Sequence, residues 1–327
     1  MIGGPVSLAG LRVGHATDQE GRTGCTVLLG PFRGAAFVAG HATGTRELDP
    51  VSSLHLVPLI DALLLTGGST FGLSAAEGVV SWLEERGIGF DTMVARVPIV
   101  PAAVIFDLGV GRADRRPNAA MGRQACENAS ADPPAEGQVG VGTGATAGKV
   151  MGRELSVPGG FGCASATFDG STLMAMAVAN PLGDVIGFNG EIVAGARAAD
   201  GSWVNTHGVD WEASMRQRMS RASPPGTNTT LAAIVTDAPL PRDALAMVAR
   251  MAAAALARRI DPAFTPFDGD VVFALSTTAE PRAVEPGHIL AFGATATTAL
   301  EHAIVRAVSP AERAKTVATG SAPSVAG

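Results

Sequence analysis

Leu231-Ala232-Ala233-Ile234-Val235 is an unbroken apolar run, and Asn228-Thr229-Thr230 stands directly ahead of it. A short run of this kind reads as a buried strand. A second such run, Val271-Val272-Phe273-Ala274-Leu275, follows Asp268-Gly269-Asp270, two carboxylates held close by a turn glycine. Because the residues after it are wholly apolar, Asp270 enters a buried setting, where a carboxylate needs a charged or hydrogen-bonded partner. An internal Asn-Thr bond at the mouth of a buried strand is a place where a chain could cut itself. Cleavage would free the α-amine of Thr229, so that one residue would hold a hydroxyl nucleophile and its own base. By spacing alone, Thr229 and Thr230 read equally as ordinary strand threonines, since β-branched residues favour strands.

Short apolar runs at Leu11–His15, Cys25–Leu29 and Ala35–Ala39 read as three consecutive strands, and Leu59–Leu65 as another. Ser69 or Thr70 is positioned to cap a helix running to about Glu85, and residues 119–128 read as helical. Residues 97–108 are apolar and carry two prolines, which predicts a buried but irregular segment. Residues 171–178 and 185–188 suggest two paired strands joined at Asn180-Pro181-Leu182-Gly183. The polar stretch 203–227 reads as a linker. Strand 229–237, an Ala-rich helix over 241–259, strand 271–277, a helix over 291–308 and a frayed tail over 316–327 follow. Strands mixed with large buried helices imply sheets layered between helices.

Of the 327 residues, 46% are hydrophobic and 17% charged, so the chain has ample apolar surface to build a core and is not disordered. A formal charge of −6 leaves no basic footprint for nucleic acid. The apolar stretch 244–256 is broken by Arg250 and too short to span a bilayer, and the amino-terminal residues lack the pattern of a signal peptide. Cys25, Cys126 and Cys163 are odd in number and unrelated in spacing, which fits buried thiols in a reducing cytoplasm better than a disulfide framework.

The glycine-rich stretch 140–149 does not make a phosphate loop, since Thr143 and Val150 stand where that motif needs a glycine and a hydroxyl residue. It suits a loop that brings backbone amides and Lys149 close to a small substrate, whereas Lys149 alone would read as a solvated surface residue. The six histidines lack metal-ligand spacing, so no metal site is expected. No Gly-x-Ser-x-Gly elbow is present.

Segments 40–47, 65–73, 97–107, 144–149, 180–181, 228–237 and 268–277, in that order, resemble the self-processing aminopeptidases that include the L-aminopeptidase D-amidase/esterases, β-peptidyl aminopeptidases and nylon-oligomer hydrolases. The resemblance implies an α+β fold, an αββα sandwich of two stacked sheets between helix layers, shared with ornithine acetyltransferase-like proteins. It implies a single catalytic domain over 1–327 that cleaves itself between Asn228 and Thr229 into an α chain 1–228 and a β chain 229–327, which stay together in a homo-oligomer of αβ units. Thr229 matches the nucleophile, Asn180 the oxyanion donor, Lys149 the lysine of the glycine loop, and Asp268 and Asp270 the acidic turn. In this reading Asp268 assists the cut, Asp270 orients the Thr229 amine, and Lys149 lowers that amine's pKa. Phe106 and the glycine loops at Gly67, Gly68 and Gly144 fall to substrate binding. Phe106 stands where relatives often carry tyrosine, which predicts a more apolar pocket. The implied activity is hydrolysis of a small peptide or amide, with no cofactor. The alternatives are an acetyltransferase of the ornithine type, whose Ala-Thr-Met-Leu motif is missing here, and an uncut, non-catalytic relative.

Overall fold

The computed structural model describes residues 2–52, 54–204, 210–212, 216, 227–278 and 280–314. Most of the linker expected over 203–227 and the tail expected over 316–327 lie outside the described residues. The principal strands are β1 (Arg12–Asp18), β2 (Thr23–Val38), β3 (Ile60–Thr66), β4 (Ala102–Val104), β5 (Gly160–Phe168), β6 (Ser171–Asn180), β7 (Thr229–Thr236) and β8 (Val271–Ser276). The principal helices are α1 (Ala75–Glu84), α2 (Ala119–Glu127), α3 (Arg242–Ala252), α4 (Ala254–Arg259) and α5 (Pro286–Val308).

Two sheets share one strand. Residues 33–38 of β2 pair with β8, and the sheet continues through β7, β6 and β5 to a short edge strand at Ile2–Gly3. Residues 23–29 of the same strand lie between β1 and β3 in the second sheet, which extends to β4 and Thr45–Arg46. The sequence pattern splits β2 in two because Gly30-Pro31 looks like a turn. The strand instead continues across, and the pairing with β3 shifts register between Leu29 and Phe32.

Side-chain alternation then sorts the core into three layers. Met174, Met176 and Val178 of β6, with Leu231, Ala233 and Val235 of β7, face the second sheet and meet Leu28, Leu63 and Leu65 there. Leu173, Ala175, Ala232 and Ile234 point the other way, onto Leu245, Val248, Leu300 and Ile304 of α3 and α5. The outer face of the second sheet is covered by α1 and α2, with Val79, Trp82, Leu83 and Cys126 packed on Val27, Leu29 and Leu64. The order helix, sheet, sheet, helix is the αββα sandwich expected from the sequence. It explains why β7 and β8 read as solid apolar runs, since both faces of each strand are buried.

Several local expectations are corrected. The segment after Gly68 is first a 3-10 turn, Ser69–Ser74, and the helix begins only at Ala75, so neither Ser69 nor Thr70 caps it. Residues 171–178 and 185–188 do not form a hairpin. β6 pairs with β5 and β7, while Asp184–Ile186 joins a separate small sheet with Ile192–Ala194 and Ile260–Asp261. The Asn180-Pro181 step therefore leads the chain out of the sheet. The Ala-rich helix divides at Ala253 into α3 and α4. The last helix starts at Pro286, five residues earlier than expected, with proline in the first turn where its missing N–H costs nothing.

Candidate active site

Strand direction brings the sequence-predicted residues together. β7 and β8 run parallel with Leu231 beside Val271, so the residues just ahead of each strand lie at the same end, and Asn228 bridges Asp268. β6 and β7 run antiparallel, which places the last residue of β6, Asn180, opposite the first of β7, Thr229. Three segments distant in sequence meet at one sheet end as a consequence of these two pairings.

The Asn228–Thr229 link is buried. Its carbonyl oxygen accepts two hydrogen bonds, one from the Thr229 hydroxyl at 2.6 Å and one from the Gly269 N–H at 2.9 Å. Gly269 is required by space: a β-carbon there would stand 2.8 Å from Thr229 Oγ1. Asp270 Oδ1 accepts the Thr230 N–H at 2.6 Å, and Asp268 Oδ2 accepts the Thr265 N–H at 2.8 Å. The other oxygen of Asp268, with Asn228 Oδ1 and Thr230 Oγ1, is buried without a partner of hydrogen-bonding geometry. Buried polar atoms are nearly always paired, so three such atoms around one peptide bond single this junction out.

Lys149 is buried, and its ammonium donates to the Asn180 carbonyl at 2.9 Å and to Asn180 Oδ1 at 2.8 Å. Its backbone is tied to the Asn-Pro segment, with Lys149 N–H on the Leu182 carbonyl. Thr146 N–H adds a bond to Asn180 Oδ1 at 3.0 Å. With donors holding its oxygen, the Asn180 amide can turn only its Nδ2 toward other groups, and this lies 3.3 Å from the Phe106 carbonyl.

Burial governs the charges. It pushes Asp268 up against the opposing pull of Thr265, Lys149 and the Leu182 amide. Burial, reinforced by Asp268, pushes Asp270 up to about 8. Lys149 is held well below its ordinary range by burial and then by Arg153, with the two aspartates opposing. A carboxyl whose folded pKa is raised contributes stability that is complete at low pH and lost as pH rises from the unfolded value, about 4, through the folded one. For Asp270 that window is about 4 to about 8. Asp270→Asn in an uncut background is therefore expected to gain melting temperature on its parent as pH rises through that window. A difference that stays flat with pH, read by circular dichroism melts, contradicts it.

Gly67, Gly68 and Gly144 cluster around Asp107. The N–H groups of Gly67 and Gly68 are taken by the Gly24 carbonyl and by Asp107 Oδ1, at 2.9 and 2.7 Å. Asp107, which the sequence reading left without a role, also accepts the Thr23 hydroxyl at 2.6 Å and touches the Gly144 position. It ties the Phe106 segment to both glycine turns. Its only sequence signal is an acid ending an apolar run. Arg153, equally unforeseen, lies over the Phe106 ring, 5.2 Å from its centroid. The surroundings of Phe106 are thus not simply apolar.

The sequence profile of peptidase family S58 matches residues 6–321. The chain belongs to this family. It is 39% identical, over 93% of both chains, to an uncharacterized aminopeptidase of Mycobacterium tuberculosis. It is 32% identical to a 6-aminohexanoate-oligomer endohydrolase of a Kocuria species, across 85% of this chain and 76% of the relative. Among solved structures, a Burkholderia β-aminopeptidase superposes with a TM-score of 0.67 at 23% identity over 93% of this chain and 87% of its own. The L-aminopeptidase D-Ala-esterase/amidase of Ochrobactrum anthropi, described as a variant of the N-terminal-nucleophile hydrolase fold, gives 0.68 at 19% identity over 93% and 86%. As an S58 member the protein is a hydrolase of peptide or amide bonds. Among the described residues no helix is long and apolar enough to cross a membrane.

Proposed function

We propose that the protein is a self-processing amide hydrolase whose nucleophile is Thr229. The observation that carries this reading is the geometry at the Asn228 carbonyl, where the attacking hydroxyl and the Gly269 N–H meet on one oxygen at 2.6 and 2.9 Å. In the uncut chain Thr229 Oγ1 attacks that carbonyl carbon, and Gly269 N–H holds the developing oxyanion. The Asn228–Thr229 C–N bond breaks, the nitrogen takes up the hydroxyl proton, and water cleaves the resulting ester. Asp268, with an oxygen unengaged in the junction, serves as the proton carrier. The freed amine of Thr229 then takes the hydroxyl proton, the alkoxide attacks a substrate amide, and the leaving amine carries that proton away. Water hydrolyses the acyl-enzyme. Asp270 orients the amino terminus of the cut strand. Lys149 acts through Asn180, fixing its amide so that Nδ2 faces the oxyanion, and by its nearness keeps the Thr229 amine neutral.

The mature form is an α chain 1–228 held to a β chain 229–327 by the β6–β7 and β7–β8 ladders, which leave the severed strand fully paired. Assembly into a homo-oligomer is supported by apolar residues left in solvent at Leu54, Leu56, Met93 and Val94. A reducing, cytoplasmic setting is supported by three free, buried cysteines. The substrates are small peptides or amides, in keeping with the names of the aminopeptidase and amide-oligomer relatives.

Intact mass and amino-terminal sequencing test the reading, since a processed, active preparation must yield a terminus at Thr229. Asn180→Asp separates the two roles of that residue. It keeps an oxygen for Lys149 and Thr146 but loses the N–H donor, and is expected to lower kcat about 100- to 1,000-fold, the cost of one oxyanion donor. Turnover within about threefold of the parent would remove Asn180 from the mechanism.

A further inference from the structure

The guanidinium of Arg153 is half-buried yet donates no hydrogen bond and makes no ion pair among the described residues. A guanidinium carries five N–H donors in a flat fork suited to a carboxylate, and withdrawing it from water without an acceptor is unfavourable. The acid near it, Asp107, attracts it electrostatically but spends one hydrogen bond of each oxygen elsewhere, Oδ1 on Gly68 N–H and Oδ2 on the Thr23 hydroxyl. What Arg153 does touch is apolar or neutral, namely the Phe106 ring on one side and the bare backbone of Gly109 on another.

Its place in the site is fixed by Phe106. The ring of that residue lies under the guanidinium, and its carbonyl faces the Nδ2 of Asn180, which in turn sits opposite Thr229. Burial, partly offset by Asp107, holds the Arg153 pKa below its usual range, but an arginine stays charged. Lys149, the other cation near the junction, is already engaged by Asn180. Arg153 is a second, half-buried cation beside Phe106, positioned to attract an anionic substrate.

We propose that Arg153 is a specificity-determining residue that receives a carboxylate on the leaving-group side of the scissile amide. The preferred substrates are then short peptides or amide oligomers whose released amine ends in a free carboxylate. This rests on the proposed function for the place of the reacting centre.

The test compares kcat/KM for a dipeptide with a free carboxyl terminus and for the same dipeptide amidated there. Wild-type enzyme is expected to favour the free acid by about 10- to 100-fold, the range for a charge-assisted hydrogen bond. Arg153→Gln is expected to erase that preference by lowering turnover of the acid alone, and Arg153→Lys to keep part of it. A wild-type enzyme indifferent to the carboxylate, or an Arg153→Gln enzyme equally impaired on both substrates, overturns the proposal. The ratio is taken within one preparation, so it judges Arg153 whichever residue is the nucleophile. An active but uncut chain would overturn Thr229 and leave the ratio to decide.

Discussion

Thr229→Ala is expected to leave a single polypeptide of 327 residues with no measurable amide hydrolysis, a loss of at least ~10⁴-fold by comparison with removal of other acyl-transfer nucleophiles. The substitution deletes the hydroxyl that reaches the Asn228 carbonyl. It leaves the Gly269 N–H on the same oxygen and the Asp270 bond to Thr230 untouched, so the junction keeps its shape. The β7 ladder does not depend on the side chain, and the fold is expected to survive with a cost of about 1 kcal/mol for the lost hydrogen bond. Thr229→Ser restores a hydroxyl at the same place and is expected to process and turn over. Denaturing electrophoresis and a p-nitroanilide assay on the three proteins decide the matter. If the alanine variant is still cut after Asn228, the nucleophile lies elsewhere.

The layers of the fold were legible where burial leaves a continuous mark. β7 and β8 are covered on both faces, so their apolar runs could be read directly, and the acid turn ahead of β8 stood out against that background. The same logic failed for β2. A glycine-proline step normally ends a strand, but here the chain changes partners and goes on, and nothing local distinguishes a strand that stops from one that crosses between sheets. The helix start at Pro286 carried a usable signal, proline in a first turn, which a search for apolar periodicity passes over.

The site was legible in a different way. Asn180 and Thr229 are strangers in sequence, and only the antiparallel ladder between β6 and β7 makes them neighbours. No spacing argument reaches such a pair. It came from resemblance to a family in which the same residues recur in the same order. Asp107 and Arg153 were given no role by either route: each is a single charged residue outside the principal strands and helices, Arg153 opening a short 3-10 turn, and its meaning depends on which backbone N–H groups or rings the fold places beside it.

Gly40→Ala is expected to slow processing about 100- to 1,000-fold, without touching any reacting group. Gly40 N–H donates to the Asp270 carbonyl at 3.0 Å, and the His41 and Ala42 N–H groups donate to the Asp268 carbonyl at 2.8 and 2.9 Å. The 39–42 segment thus clasps the acid turn by its backbone. A β-carbon at position 40 would overlap the Asp270 nitrogen and the Asp268 carbonyl oxygen, and neither is a flexible side-chain end that could swing aside. The turn must move, and Gly269 N–H moves with it, away from the Asn228 carbonyl. Attack at that carbonyl then loses its oxyanion donor, worth about 3 to 4 kcal/mol. Broken backbone bonds and overpacking add a stability cost of about 1 to 3 kcal/mol. Gly287→Ala is the control, since a β-carbon in that first turn of α5 meets nothing within 4 Å. It is expected to process normally and to melt no lower than the parent. An efficiently cut Gly40→Ala chain would show that the clasp does not position Gly269, and the oxyanion role assigned to that N–H would fall with it.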